Sequence, residues 1–255
     1  MNSFKFRHPE LDDILSFKSI DSTNLEAKRR RSEFAGRNFL LIANEQTHGK
    51  GQHGRHWDSG AGLGLWLSLF LSRPGYLEHH LQLLSLYTGI IIQRVLATLI
   101  ENDIYLKWPN DIMIGSRKCG GVLTEVQWVG DSVVSATIGM GINLEHQTAD
   151  FPPSIRKSAI SLRQAGWHKP DPDLLLDQLL DEFFGNIVLL DRPKELTQEW
   201  NEHAFRINDS VQWIIKNRMV EGQFLGISET GEAQILVEGK LTHFRSGEIR
   251  LVNHE

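Results

Sequence analysis

Residues 104–138 read IYLKWPNDIMIGSRKCGGVLTEVQWVGDSVVSATI. Ile104–Lys107, Asp111–Ile114, Gly121–Trp128 and Ser132–Ile138 are runs with strand character, separated by a few residues each. The gaps hold Pro109, Asn110, Gly115, Gly130 and Asp131, residues that favour turns. A parallel crossover needs a dozen residues or more, usually a helix. These runs therefore read as hairpins, and the expected sheet is largely antiparallel or mixed. With helices on either side in sequence, the fold class expected is α+β.

Upstream, His79–Glu101 carries Leu83, Leu86, Ile90, Val95 and Leu99 at helical spacing, the pattern of a long packed helix. Leu65–Leu71 and Phe39–Ala43 read as buried strands. Ser22–Arg31 reads as a short helix in which Thr23 and Glu26 fit a capping box. Downstream, Asp173–Leu190 and Pro193–Ala204 read as helices. The character changes near Ile207. Val211–Lys216, Met219–Ile227, Ala233–Val237 and Leu241–Arg245 are short strand candidates split by glycines, as in a small β-barrel. Two domains are expected, 1–206 and 207–255.

The chain has 255 residues, 40% hydrophobic and 23% charged, an ordinary globular mix. A net charge of -5 argues against general attraction to nucleic acid. The single cysteine, Cys119, excludes an internal disulfide framework and reads as a buried small residue. The N-terminus lacks the apolar stretch of a signal peptide. Ala61–Leu71 is shorter than the roughly 20 residues that span a bilayer. A soluble cytoplasmic protein is expected.

Between the strands at 39–43 and 65–71 lies NEQTHGKGQHGRHWDSGAGLG, long for a loop inside a compact domain. Gly49-Lys-Gly-Gln-His-Gly54 matches G-x-G-x-x-G by letters. A dinucleotide cradle would open a helix and be followed about 20 residues later by an acid. Here more glycines and a strand follow, and the later position is Arg73-Pro74-Gly75. The kinase H-R-D and D-F-G motifs are missing too. The chemistry still suits an anion: glycines let amides approach it, while Lys50 and Arg55 add charge and Trp57 an aromatic wall. A mobile solvated loop is the competing reading. His48, His53 and His56 are spaced too irregularly for a zinc site.

Lys107-Trp-Pro-Asn-Asp111 reads either as a plain turn or as a sheet edge presenting Lys107 and Asp111. Asp111 would then hold Mg²⁺ or accept a proton from an amine. Arg117-Lys-Cys-Gly-Gly121 puts Lys118 beside two glycines, with little to hinder its reach.

Taken together, these clusters resemble the biotin–protein ligase family, in a short form lacking the N-terminal DNA-binding domain. The match runs in order through Asp21-Ser-Thr-Asn24, Gln46-Thr-His-Gly-Lys-Gly-Gln-His-Gly-Arg-His-Trp57, Lys107-Trp-Pro-Asn-Asp111, Arg117-Lys-Cys-Gly-Gly-Val-Leu-Thr-Glu125 and Gly139-Met-Gly-Ile-Asn143. The C-terminal Gly222–Ile227 and Phe244–Ile249 resemble the family's SH3-like domain.

The resemblance implies a catalytic domain related in fold to class II aminoacyl-tRNA synthetases. It implies biotin as substrate, ATP and Mg²⁺ as co-substrate, a biotinyl-adenylate intermediate, and transfer to a lysine of a biotin carboxyl carrier protein. By position, Ser22, Thr23, Asn24 and Gln46 match the biotin pocket. Lys50, Gly51 and Gln52 match the loop over the acyl-adenylate. Arg55 matches a phosphate-contacting arginine, with Trp57 after it. Lys118 matches the lysine between carboxylate and α-phosphate, and Lys107, Asp111 and Asn143 fall near metal and nucleotide. Lys118, Arg55 and Asp111 are the catalytic candidates.

Gln52 departs from the arginine many relatives carry there, so faster leakage of the adenylate is expected. Only 20 residues precede the Asp-Ser-Thr-Asn motif, too few for a DNA-reading three-helix module. No DNA or membrane partner is therefore expected, and the chain is expected to be a monomer or homodimer. A lipoate or octanoate ligase or transferase, and an inactive biotin or nucleotide binder, are the alternatives.

Overall fold

The computed structural model describes residues 7–77, 81–215 and 218–251. The expected helix start at His79 and strand end at Lys216 lie outside these residues. The chain runs β1 (Asp13–Phe17), α1 (Thr23–Arg30), β2 (Phe39–Ala43), β3 (Gly64–Leu71), α2 (Pro74–Leu77), α3 (Leu84–Leu99), β4 (Ile104–Lys107), β5 (Asp111–Ile114), β6 (Arg117–Val129) and β7 (Ser132–Asn143). Then follow α4 (Pro172–Gly185), α5 (Pro193–Glu202) and β8 (Ser210–Ile215), β9 (Arg218–Ile227), β10 (Ala233–Val237), β11 (Lys240–Phe244) and β12 (Glu248–Leu251).

β1–β7 form a seven-stranded sheet in the order β1-β2-β3-β7-β6-β5-β4. The β1–β2 pair is parallel and every other neighbouring pair antiparallel. The hairpins read from residues 104–138 are thus β4–β5–β6–β7. Alternation along a strand assigns its side chains to two faces. Leu65, Leu67, Leu69 and Leu71 of β3 enter the main core, as do Leu40 and Ile42 of β2. Phe70 of β3, with Phe39 and Leu41, forms a second cluster under α1 with Ala27 and Phe34.

On the main-core face α3 packs on β4, β5 and β6 and against α4 and α5. By length and composition Leu81–Leu99 could cross a bilayer, but 72% of its apolar window is buried in this core. Arg94 fastens the three helices, bonding Glu182 at 2.8 Å and Glu199 at 2.6 Å. α4 starts where Asp171 accepts from the Asp173 and Leu174 amides, with Pro172 supplying the preset first turn.

Three expectations need correction. The capping box does not form. Ser22 is the N-cap but makes no side-chain bond, and Glu26 pairs with Arg29 and Arg30 instead. The Thr23 amide is capped by Gln46 Oε1 at 2.8 Å, from another element. The helix expected to reach Leu190 ends at Gly185, and a 3₁₀ turn, Ile187–Asp191, continues. β6 and β7 reach past their expected ends into Arg117–Gly120 and Gly139–Asn143.

β8–β12 make a five-stranded antiparallel sheet in the order β11-β10-β9-β8-β12. Its Val211, Trp213, Phe224 and Ile235 belong to the same contiguous core as the first sheet. Trp108 makes the join: its ring lies 5.0 Å from Trp213, and its Nε1 donates to the Gly231 carbonyl at 3.0 Å. Asn201 adds a paired contact to the Ile227 amide and carbonyl, at 2.8 and 3.0 Å.

Candidate active site

On the α1 side of the sheet, neighbouring strands set glycines side by side. Gly121 of β6 pairs with Gly141 of β7, while Gly139 and Gly141 pair with Ser68 and Trp66 of β3. This patch has no side chains of its own, and others occupy the space. A Cβ at Gly139 would collide with the Asn24 amide. At Gly141 it would lie 2.7 Å from Trp57 Nε1, and at Gly121 3.3 Å from both Trp57 Cζ3 and Lys118 Cε. The Trp57 indole therefore lies flat on a glycine floor. Lys118 Nζ sits 4.9 Å from the centre of the Trp57 ring, within cation–π range.

Over this floor opens a cavity of about 790 Å³. At one end is the start of α1, where Ser22, Thr23 and Asn24 are buried. A polar chain holds this wall together. Gln46 Oε1 accepts from the Thr23 amide and hydroxyl (2.8 and 3.1 Å), and Gln46 Nε2 donates to Ser59 Oγ at 3.0 Å. The Ser68 hydroxyl donates to Asn24 Oδ1 at 2.5 Å and lies 2.7 Å from Thr23 Oγ1. Asn24 Nδ2 donates to Glu125 at 3.1 Å. Asn24 thus spends its amide tying α1 to β3 and β6, and Gln46 caps the helix.

Residues 49–57 fold as a small hairpin beside this wall. Lys50 and His56 form a bridge, the Gly51 amide donates to the Arg55 carbonyl (2.8 Å), and the Trp57 amide donates to the Gly49 carbonyl (2.9 Å). His53 and Gly54, both at positive φ, turn the tip. Lys50, Gly51, Gln52 and Arg55 of this hairpin line the cavity.

Opposite lies the β4–β5 turn, with a cis Trp108–Pro109 bond. Asn110 Nδ2 holds the turn to β6 through the Val122 carbonyl at 2.5 Å. Lys107 pairs with Asp111 across the hairpin, and both face the cavity. Asp111 Oδ1 lies 2.5 Å from Lys118 Nζ. An ammonium is thereby fixed mid-cavity between a carboxylate and an indole face. Next to it, Cys119 is fully buried, and burial pushes its thiol up to about 12, so it offers no nucleophile.

The far end is built by residues 143–161. Asn143 donates through Nδ2 to the Ile160 carbonyl (3.1 Å) and accepts the Leu162 amide (2.9 Å), closing the loop's two ends together. The loop also zips onto β6: the Lys118 amide donates to the Ser158 carbonyl, and Ile160 donates back to Lys118. His146 and Phe151 stand inside this loop and line the cavity, as Gly247 of the β11–β12 connection does from its own side.

Every residue singled out in the sequence as a binding or catalytic candidate lines this one cavity. Ser68, His146 and Phe151 were not singled out. Ser68 had a signal, being the lone polar residue in GLWLSLFL. His146 and Phe151 had none beyond following Asn143.

The biotin/lipoate A/B protein ligase family model matches residues 16–143. The bifunctional ligase/repressor BirA of Bacillus subtilis is 32% identical over 257 residues, spanning 96% of this chain and 74% of that protein. The biotin–[acetyl-CoA-carboxylase] ligase of Paracoccus denitrificans is 27% identical over 83% of this chain and 89% of its own. Among solved structures, the biotin protein ligase from Aquifex aeolicus in complex with biotin and ATP superimposes with a TM-score of 0.78. It is 28% identical, and the match covers 94% of this chain and 98% of that one.

Proposed function

The chain belongs to the biotin/lipoate A/B protein ligase family, and from that premise we propose that it is an ATP-dependent biotin–protein ligase. The observation that carries the chemistry is the Lys118–Asp111 pair fixed mid-cavity over Trp57. One flank, Ser22, Thr23 and Gln46, suits a small polar-headed acid. The other, the loop after Asn143, suits a nucleotide.

In the first step the biotin carboxylate attacks the α-phosphorus of ATP, forming the acyl-adenylate and releasing pyrophosphate. Negative charge gathers between carboxylate and phosphate, where the Lys118 ammonium offsets it. Lys50, Arg55 and Lys107 extend the cationic rim for the phosphates, Arg55 through its planar fork. Gln52 and Gly51 complete the hairpin over the intermediate.

In the second step a carrier lysine amine attacks the acyl carbon. The C–N bond forms, the acyl–oxygen bond to phosphate breaks, AMP leaves, and the surplus ammonium proton passes to Asp111.

Mg²⁺ would accompany the triphosphate. Among the described residues no cluster of three His, Cys, Asp or Glu could hold a metal. Asp111 offers one carboxylate, which fits an ion held chiefly by phosphate oxygens and water.

The acceptor in this reading is the carrier domain of a biotin-dependent carboxylase, and the site of action the cytoplasm. Residues 207–255 read as an SH3-like module seated against the catalytic domain, 1–206. A docking edge for the carrier, or for a second copy, is the Leu123–Val129 half of β6. Among the described residues no strand pairs with its side away from β7, and Trp128 and Val129 there are 60% and 62% exposed.

The deciding experiment is ATP-dependent transfer of labelled biotin to a carrier domain, with pyrophosphate release followed for biotin, lipoate and octanoate. Release with lipoate or octanoate and none with biotin replaces this reading by its nearest relative in the family. Binding without release in all three marks an inactive binder.

A further inference from the structure

Glu125 is an exposed residue of β6 that stands outside the cavity lining, yet its carboxylate reaches back to the start of α1. There it accepts from Asn24 Nδ2 at 3.1 Å, and the Leu123 carbonyl lies 3.4 Å from the same nitrogen. An ionised carboxylate and a backbone carbonyl have no proton to give. The Asn24 amide therefore turns its NH₂ toward β6, and its Oδ1 faces Ser68. The amide is also pressed onto the floor, since a Cβ at Gly139 would strike it.

This orientation passes inward along the wall. Ser68 is fully buried in the otherwise apolar β3, where a hydroxyl is costly unless it is bonded. Its Oγ lies 2.5 Å from Asn24 Oδ1 and 2.7 Å from Thr23 Oγ1. A serine hydroxyl has one proton, and an amide oxygen only accepts, so the Ser68 proton goes to Asn24. Thr23 then faces two accepting oxygens, Ser68 Oγ and, at 3.1 Å, Gln46 Oε1. Gln46 is itself locked, because its Nε2 donates to Ser59, whose proton goes to the Trp57 carbonyl at 3.3 Å. Whichever oxygen takes the Thr23 proton, that proton points into the wall. Thr23 lines the cavity with only lone pairs left to offer. Turning Asn24 over would reverse the chain: Nδ2 would fill Ser68, Ser68 would donate to Thr23, and the Thr23 proton would be free to face the cavity.

We propose that Glu125 is a positioning residue for the acid substrate. Acting through Asn24 and Ser68, it directs the chain so that Thr23 accepts rather than donates, which favours a head group with an N–H to give. This rests on the ligase reading above, in which that head is the ureido ring of biotin. The dithiolane of lipoate and the alkyl end of octanoate carry no such N–H.

The test is equilibrium binding of biotin and of ATP to wild type, Glu125→Gln, Glu125→Leu, Ser68→Ala and the Glu125→Leu/Ser68→Ala double variant. Glu125→Leu should weaken biotin about five- to twenty-fold, the loss of one well-directed hydrogen bond, and leave ATP unchanged. Glu125→Gln keeps an acceptor for Asn24 and should stay within about threefold of wild type. Because both residues act along one chain, the double variant should lose no more than the weaker-binding single variant. Wild-type biotin affinity in Glu125→Leu overturns the proposal. So do a Glu125→Gln protein that falls as far as Glu125→Leu, additive losses in the double variant, and an equal loss for ATP, which marks a loosened α1. If Glu125→Leu does not fold, Glu125→Lys, which offers Asn24 a donor, takes its place, and wild-type biotin affinity there is equally decisive. A wild type that binds ATP and lipoate but no biotin sinks the ligase reading itself, a result distinct from any difference among variants.

Discussion

Lys118 draws its setting from three directions: Asp111 at 2.5 Å, the Trp57 face, and two backbone bonds that clamp its own peptide to residues 158–160. Lys118→Ala removes the charge but leaves the clamps. The variant should fold normally and lose adenylation by about 10²–10³-fold, the scale of a lost oxyanion donor. Pyrophosphate release measures this, and a wild-type rate removes Lys118 from the chemistry. Gln52 is the second test at this scale. It lines the cavity at the turn of the 49–57 hairpin, where a neutral amide stands among cations. Gln52→Arg should slow dissociation of the acyl-adenylate, read by chasing labelled intermediate from the enzyme; equal off-rates reject the leak. Lys118, Arg55 and Asp111 were picked out in the sequence by the ordered set of motifs around them; taken alone, each reads as readily as a solvated charge beside a turn. His146 was not. A lone histidine after a strand is ordinary, and only its place in the cavity lining, which depends on every neighbour at once, sets it apart.

At the scale of elements, the start of α1 shows where local rules stop. Thr23 and Glu26 have the spacing of a capping box, yet the cap comes from Gln46, and Glu26 turns to two arginines down the helix. A side chain from another element won because Thr23 faces the cavity wall, where Gln46 is held by Ser59. Gln46→Ala should thus act twice. It should cost about 0.5–2 kcal/mol of stability, as lost caps do, and raise the KM for biotin while leaving the KM for ATP unchanged. Thermal melts and steady-state kinetics separate the two effects, and a change in neither removes the cap. The hairpins of residues 104–138 were legible because turn residues and apolar runs alternate at short range. The glycine ends of β6 and β7 were not, since Gly120, Gly121, Gly139 and Gly141 have little strand propensity alone. Pairing with neighbours makes them strand. β1 and β12 escaped for a similar reason: each is short, and a neighbouring strand defines it.

Over the whole molecule, the boundary near Ile207 marks a change in local pattern but not a break in the core. Trp108 of the β4–β5 turn packs on Trp213 of the C-terminal sheet, and Gly231 approaches Leu83 and Leu86 at the start of α3 so closely that a Cβ would strike them. The two parts should therefore unfold in one transition. Trp108→Ala should lower stability by about 3–5 kcal/mol, as large-to-small core changes do, and separate the melting of the two halves. Calorimetry with a second probe confined to the C-terminal sheet would show it; one unsplit transition in the variant would mean that Asn201 and the remaining contacts suffice. The sequence could announce the two patterns but not this coupling, because the tryptophans concerned lie more than a hundred positions apart. The glycine floor, finally, bears on how such a site can change over generations. Gly139 and Gly141 can accept no side chain without dislodging Asn24 or Trp57, so drift in acid preference is closed to them. New acyl specificities would have to arise from the side chains of the walls, α1 and the 49–57 hairpin, while the floor stays fixed beneath successive substrates.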